Sequence, residues 1–166
     1  MPPISERQLE PLFQPIGQFV LMWGLTEAAI VGNIAIVYHK GGGREISKIL
    51  PVAFGRRMDL LKECCKKSAP LKPFAAELLD LRTQASALAD FRDALAHGQI
   101  AGFDPRTGVY TFMMYDTNDK ERIQYVKPVP VTVETLHNAT VASMHLSRFA
   151  NDLNRRLLQA LVVKHP

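Results

Sequence analysis

The apolar stretch from Phe19 to Tyr38 constrains the fold of this chain more than any other feature. It has the length of a membrane-spanning helix, but Glu27 lies near its middle and Asn33 follows. A carboxylate at the centre of a bilayer costs at least about 2.5 kcal/mol. No Lys/Arg cluster closely flanks either end to set an orientation. We therefore expect no membrane span, but a helix that is buried on most sides in a helical bundle.

Length and composition predict one globular domain over residues 1–166, with 47% hydrophobic and 22% charged residues. The net charge of +4 is spread evenly along the sequence, so any anion-binding site must be local. Cys64 and Cys65 are adjacent, which fits neither a disulfide framework nor the C-x-x-C spacing of redox and zinc sites. We expect a cytoplasmic location.

Proline and glycine residues divide most of the chain into helices. A Pro-rich lead precedes the first helix, three consecutive glycines end it, and Pro51 is well placed at the first position of the second helix. Thr132 is the expected N-cap of the last helix. The four main helices are predicted over about Gly17–Tyr38, Pro51–Lys67, Phe74–Ala96 and Thr132–Val163.

The segment from 99 to 130 has a β-type pattern with two polar turns. It predicts a small meander with strands over Gln99–Phe103, Val109–Tyr115 and Ile123–Lys127. Aromatic residues on this meander either stack on bases or form a hydrophobic face against the helices: Tyr110, Phe112, Tyr115 and Tyr125. The predicted fold is mostly α, a four-helix bundle with a β-meander insertion between helices three and four.

One arginine interrupts the apolar seam of the third helix. The seam runs through Leu78, Leu81, Ala85, Leu88, Arg92 and Leu95. A guanidinium in such a position reaches the end of the bundle, pairs with a buried carboxylate such as Glu27, or holds a phosphate in a cleft. His97 follows five residues later, where the chain is expected to leave helical geometry and to bring the imidazole towards Arg92.

The segment from Arg92 to Gly98 resembles the signature of the HEPN family (higher eukaryotes and prokaryotes nucleotide-binding domain). That motif is an Arg, usually followed by a polar residue, and then a His after four to six residues of spacing, which Arg92, Asp93 and His97 match. The order of elements is also similar, from the tryptophan-bearing first helix to the long last helix. Asp93 stands where many members have Asn, which leaves its part in catalysis or structure open.

The resemblance implies a metal-independent endoribonuclease in which Arg92, Asp93 and His97 form a composite site across a homodimer. Histidine suits general acid–base chemistry, and a fixed guanidinium opposes the charge that develops on phosphate. The alternative is a non-catalytic HEPN module that binds nucleotides or proteins, as a regulator or as a component of a toxin–antitoxin or defence pair. Implied partners are RNA or a nucleotide, a second copy, and an antitoxin or nucleotidyltransferase, without DNA specificity.

Other residues give weaker indications of a site. Arg57 lies on the apolar stripe of the second helix, either as a second phosphate ligand or as a solvated arginine at the end of that stripe. Glu134 and His137 have the spacing of half a di-iron site, but the remaining ligands of such a site are missing from the sequence. Gly41 to Arg44 lacks the Lys-Ser/Thr pair of a P-loop. We predict no metal and no cofactor.

Overall fold

The structure, a computed structural model, describes residues 4–119 and 122–163, and for 115–119 and 122–127 it describes the backbone alone. The chain is mostly helical with a small antiparallel sheet of three strands. The elements in chain order are α1 (Glu6–Lys40), α2 (Gly43–Ile46), α3 (Phe54–Lys67), a 3-10 turn (Ala69–Phe74), α4 (Ala75–His97), β1 (Gln99–Asp104), β2 (Val109–Asp119), β3 (Arg122–Val131), α5 (Val133–Leu158) and a π-helical turn (Gln159–Val163).

The structure divides into two compact units, and helices α1, α4 and α5 each contribute residues to both. The first unit contains the chain up to Trp23 together with Leu88–Ala142, and the second contains Gly24–Ala87 together with the chain from Ser143 onward. The predicted single domain over 1–166 stays a prediction.

Helix α1 begins eleven residues earlier than predicted, at Glu6 rather than Gly17. Capping by the Gln8 side chain explains this start: the backbone N–H and the hydroxyl of Ser5 both donate to Oε1 of Gln8, each at 2.9 Å. Pro11 and Pro15 lie inside the helix, and each removes one backbone hydrogen bond. The helix continues through them because its N-terminal segment packs on the core of the first unit.

The expectation that this helix is buried on most sides is confirmed for residues 29–38, none of which is exposed, and is wrong for the part of the helix before them. Its residues Trp23, Ile30, Ile34 and Val37 are buried, but large apolar side chains on other faces are exposed: Phe13, Val20, Leu21 and Leu25. By length and composition alone α1 is apolar enough to cross a membrane. Of its most apolar 18 residues, 33% are buried inside the protein. The core helix of a soluble protein and a signal sequence both pass the same test.

The other predicted helices are confirmed with shifts at their ends. Pro51 lies before α3 rather than at its first position, because the helix begins at Phe54 after the extended Ala53. The third predicted helix corresponds to α4. Thr132 caps α5 as predicted, since its hydroxyl accepts a hydrogen bond from the backbone N–H of Thr135 at 3.0 Å.

The predicted meander is confirmed, and its last two strands are longer than expected, since β2 continues to Asp119 and β3 begins at Arg122. The strand order is β1-β2-β3, and both pairs are antiparallel. Strand β3 continues through Pro128 and Pro130 to Val131, which an edge strand tolerates because one side of it lacks a partner strand. The sheet closes the core of the first unit, in which Leu12, Tyr110, Phe112, Val131 and Leu136 are buried together.

In the second unit, two polar side chains of α1 bind the backbone of α5. Thr26 Oγ1 donates to the Ser143 carbonyl and Asn33 Nδ2 donates to the Ala150 carbonyl, both at 2.8 Å. The side chains of Thr26, Asn33 and Ser143 are all buried. The same unit holds the free cysteines Cys64 and Cys65, and burial raises the pKa of each thiol to about 11.

Candidate functional site at the end of helix α4

The C-terminal part of α4 carries Arg92, Asp93 and His97, all within the first unit. Its apolar side packs inward: Ala94 is fully buried, and Phe91 and Leu95 pack against the core that α1 and the sheet also line. The ring of Phe91 meets Phe19 edge-on, with ring centroids 5.4 Å apart. These contacts fix the end of the helix and therefore the backbone that bears the three polar residues.

Arg92 is three-quarters buried, and its guanidinium makes a mixed set of contacts. Nη1 of Arg92 pairs with Oδ1 of Asp93 at 2.9 Å, and the Arg92 side chain is 25% exposed. The guanidinium carbon lies 6.0 Å from the centre of the Trp23 ring, at the outer limit of a cation–π contact. Nε is buried and has no hydrogen-bond partner among the described residues.

Among the buried side-chain atoms that lack a partner in the described ranges, Nε of Arg92 is the one that belongs to a charged residue. Three further buried side-chain atoms in the described ranges lack a partner, on Asn33, Ser68 and Ser143, and all three belong to neutral residues. A buried donor without a partner costs about 1–3 kcal/mol, and more when the group is charged. Because Nε is closed off from solvent, an anionic ligand would have to accept hydrogen bonds from the terminal nitrogens of Arg92.

His97 is the last residue of α4 and is exposed to solvent. The backbone N–H of Gly98 still donates to the Ala94 carbonyl at 3.0 Å, so helical geometry persists through His97. Positions five residues apart then differ by about 140° around the axis and about 7.5 Å along it. The expectation that the chain leaves helical geometry before His97, and so brings the imidazole back towards Arg92, is wrong.

Gly98 makes the abrupt change from α4 to β1 possible. A Cβ at this position would lie 2.1 Å from the Ala94 carbonyl oxygen and 3.4 Å from that of Met113 on β2. No side chain is compatible with the first distance unless the backbone moves. Glycine at this position therefore fixes where the helix ends, and with it the location of His97.

The other two predicted site residues, Arg57 and Glu27, belong to the second unit. Arg57 is half-buried and Arg56 is exposed, but Nε of Arg57 donates to the Pro51 carbonyl at 2.8 Å. This bond holds the chain that enters α3, and it leaves only the terminal nitrogens for any ligand. Glu27 is half-buried on α1.

Two of the aromatic residues on the sheet belong to the core. Tyr110 and Phe112 are buried, so for them the hydrophobic interpretation is confirmed. The side chains of Tyr115 and Tyr125 lie outside the described part of the chain. Among the described residues, no group of three His, Cys, Asp or Glu side chains is arranged to hold a metal ion.

The sequence did not indicate the contact between Trp23 and Arg92. The residues are 69 positions apart and lie on different helices, and the apolar spacing of α1 marks Trp23 only as a core position. The pairing of Arg92 with Asp93 had a signal in their adjacency, since opposite charges on neighbouring residues can meet when one side chain is long.

Comparison of the chain with protein-family models, with curated proteins and with solved structures gives no match. Membership of the HEPN family therefore stays a prediction that depends on the Arg92-to-His97 motif and on the order of the elements.

Proposed function

We propose that this protein is a HEPN-like, metal-independent endoribonuclease of the cytoplasm, with a four-helix bundle fold and a composite site formed by two copies. The observation that carries the proposal is the three-quarters buried Arg92 in one motif with an exposed His97. The guanidinium supplies donors for a phosphate, and the imidazole is accessible to a large substrate.

The chemistry follows from these two side chains. One His97 accepts the proton of the RNA 2′-hydroxyl while the 2′-oxygen attacks the adjacent phosphorus. The bond from phosphorus to the 5′-oxygen breaks, and a protonated His97 of the second copy gives its proton to that oxygen. Arg92 donates hydrogen bonds to the non-bridging oxygens, on which negative charge develops. The products are a 2′,3′-cyclic phosphate and a 5′-hydroxyl.

Helical geometry supports the need for two copies. Because Arg92 and His97 leave α4 in directions about 140° apart, one helix does not present both side chains on one face. A single imidazole also cannot easily serve the attacking and the leaving oxygen on opposite sides of the phosphorus. Two motifs that face each other supply both groups.

A non-catalytic nucleotide-binding or protein-interaction module is the second candidate, and the Arg92–Asp93 ion pair favours it. The Asp93 carboxylate occupies Nη1 at 2.9 Å and competes with a phosphate for the guanidinium. A module of this kind would bind a nucleotide, or a partner such as an antitoxin or a nucleotidyltransferase, without cleaving RNA.

The test is cleavage of single-stranded RNA in EDTA, with the ends of the products analysed. We expect 2′,3′-cyclic phosphate ends, no cleavage of DNA, and a loss of about 10²- to 10⁴-fold in rate for His97→Ala. His137→Ala is the matched control, because His137 is also exposed and lies in the same unit. Full activity of His97→Ala, or cleavage that requires a divalent cation, would contradict the mechanism and favour the binding module.

A further inference from the structure

The loop between α2 and α3, residues 47–53, exposes two large apolar side chains. Val52 is 85% exposed and Ile49 77%, the highest values among the large apolar side chains that the structure describes. The two residues are three positions apart, so their Cα atoms are at most about 11 Å from each other. One exposed apolar residue needs no explanation, but two on a short loop form an apolar patch that another molecule can cover.

Three hydrogen bonds hold the backbone of this loop while the two apolar side chains stay outside. Each bond is donated by a side chain and accepted by a carbonyl of the loop: Tyr38 to Lys48 at 3.0 Å, Ser47 to Ile49 at 2.7 Å, and Arg57 to Pro51 at 2.8 Å. The loop therefore has a defined conformation. A partner that covers Ile49 and Val52 does not have to order the backbone first, which lowers the entropic cost of binding.

The segment that contains the loop is strongly basic. Residues 40–57 hold one acidic residue, Glu45, and five basic ones: Lys40, Arg44, Lys48, Arg56 and Arg57. This local excess of four positive charges equals the net charge of the whole chain, +4. The even spread of charge over longer stretches of the sequence conceals it, because the excess is confined to a short segment.

Contacts in the structure place several of these cations beside the loop. The ring centre of Tyr38 is 6.0 Å from the guanidinium carbon of Arg44, and its hydroxyl binds the Lys48 carbonyl. Arg57 contacts Pro51 through Nε alone, which leaves its terminal nitrogens for a ligand. Within the described ranges, no carboxylate forms an ion pair with any of these three basic residues.

We propose that the α2–α3 loop docks this protein on the surface of a membrane that contains anionic lipids, with Ile49 and Val52 in the acyl boundary and the surrounding cations on the lipid head groups. The cytoplasmic leaflet carries such lipids, which agrees with the location that we expect for this protein. The proposal is independent of the cleavage of RNA, since the loop belongs to the second unit and the Arg92 motif to the first.

The chemistry of the loop favours a membrane over RNA or a protein. Bases stack on aromatic rings, and residues 47–53 include no aromatic residue. A stable protein interface covers about 800 Å² per partner, which two side chains on one loop do not supply. Binding to a membrane surface needs only a modest buried apolar area together with attraction between cations and anionic lipids, and the loop offers both.

The test is co-sedimentation with vesicles of phosphatidylcholine and phosphatidylserine, compared with vesicles of phosphatidylcholine alone. We expect the natural protein to bind the mixed vesicles and to be released as NaCl is added. Ile49→Asn should weaken binding about tenfold or more, because an apolar side chain no longer leaves water. Lys48→Gln should weaken it about fivefold, as expected for one cation near an anionic surface.

Matched controls come from the same unit. Val163→Asn changes an apolar residue that is 72% exposed on the last helical turn, and Lys62→Gln changes an exposed lysine about 12 Å along α3 from its start. Both variants should bind like the natural protein. Equal losses in loop and control variants, equal binding to both kinds of vesicle, or no binding at all would overturn the proposal. So would a loss in Leu21→Asn without one in Ile49→Asn, which would assign the contact to α1.

A fluorophore on the loop reports insertion separately from binding. Val52→Cys, labelled with an environment-sensitive dye, should shift its emission to shorter wavelength on the mixed vesicles, and labelled Val163→Cys should not. The native Cys64 and Cys65 are buried, so the introduced thiol is the accessible target. No shift at residue 52 would refute insertion. A loss of affinity for single-stranded RNA in Lys48→Gln, with no binding of the natural protein to vesicles, would assign the cations to RNA and reject the membrane.

Discussion

The two ends of helix α4 hold their charged side chains in opposite ways. Near its start, in the second unit, Glu77 accepts hydrogen bonds from both terminal nitrogens of Arg156, while Nε of Arg156 binds Asp152 at 3.0 Å. Near its end, in the first unit, Arg92 has the carboxylate of its neighbour Asp93, a distant aromatic ring and a buried Nε without a partner in the described ranges.

The difference lies in the number of carboxylate partners that each guanidinium has. Arg156 has two carboxylates for one guanidinium, so an additional anion would gain little there. Arg92 is more buried than Arg156, with 25% against 35% of the side chain exposed, and yet it is less completely paired. The two ends of α4 therefore differ in how completely a partly buried arginine is paired.

The largest effect on stability is expected from the buried part of α4 that belongs to the second unit. Leu81 is fully buried, and Leu81→Ala should lower the free energy of unfolding by about 2–5 kcal/mol. Leu79, 38% exposed on the same helix, is the control, and Leu79→Ala should cost much less. Urea denaturation measures both, and equal losses would show that the start of α4 is not a packed core segment.

A smaller effect is expected at Asp93. Asp93→Asn removes the competing carboxylate and should tighten RNA binding up to about fivefold, because partly exposed ion pairs contribute about 0.2–1 kcal/mol. Asp90→Asn removes an exposed charge from the same helix and is the control. Fluorescence anisotropy with a short single-stranded RNA measures the affinities. If Asp93→Asn bound no more tightly than Asp90→Asn, the carboxylate would not restrain Arg92.

The smallest effect is expected from the pH dependence of the Glu77–Arg156 pair. Hydrogen bonds from Arg156 lower the pKa of Glu77 below its ordinary value of 4.5. The pair therefore contributes its full stability above about that pH, and the contribution is lost as the pH falls through the lowered pKa. The difference in stability between the natural protein and Glu77→Gln should be modest at pH 7, since the pair is partly exposed.

Thermal unfolding from pH 7 to 3 measures that difference, with Glu134→Gln, at an exposed residue, as the control. The difference between the natural protein and Glu77→Gln should shrink towards acid pH. A difference that grew at acid pH would mean that the carboxyl group of Glu77 is stabilised in its neutral form.

Local signals predicted the elements well where proline, glycine and periodicity agreed. Gly98 marked the end of α4, and Thr132 marked the start of α5. The prolines alone place the start of α1 too late, whereas the pair of Ser5 and Gln8, also visible in the sequence, marks the observed start. Tertiary packing then carried the helix through both prolines.

The surroundings of the candidate site were less predictable. The irregular seam identified Arg92, but its contacts depend on which helices meet at that point, and sequence spacing does not contain this information. The exposed face of α1 was missed for a related reason. Phe13, Val20 and Leu21 are as apolar as the buried residues of the same helix, so periodicity could not tell its inner face from its outer face.

The two buried hydrogen bonds between α1 and α5 limit where this chain can change its length. Thr26 and Asn33 are seven residues apart, and so are their acceptors Ser143 and Ala150, so the two helices run parallel with a fixed register. Inserting one residue between Thr26 and Asn33 would rotate one donor away from its acceptor by about 100°. Insertions that preserve the fold should therefore accumulate in the connections between α1 and α5, such as the turn at Gly108, and not within either helix.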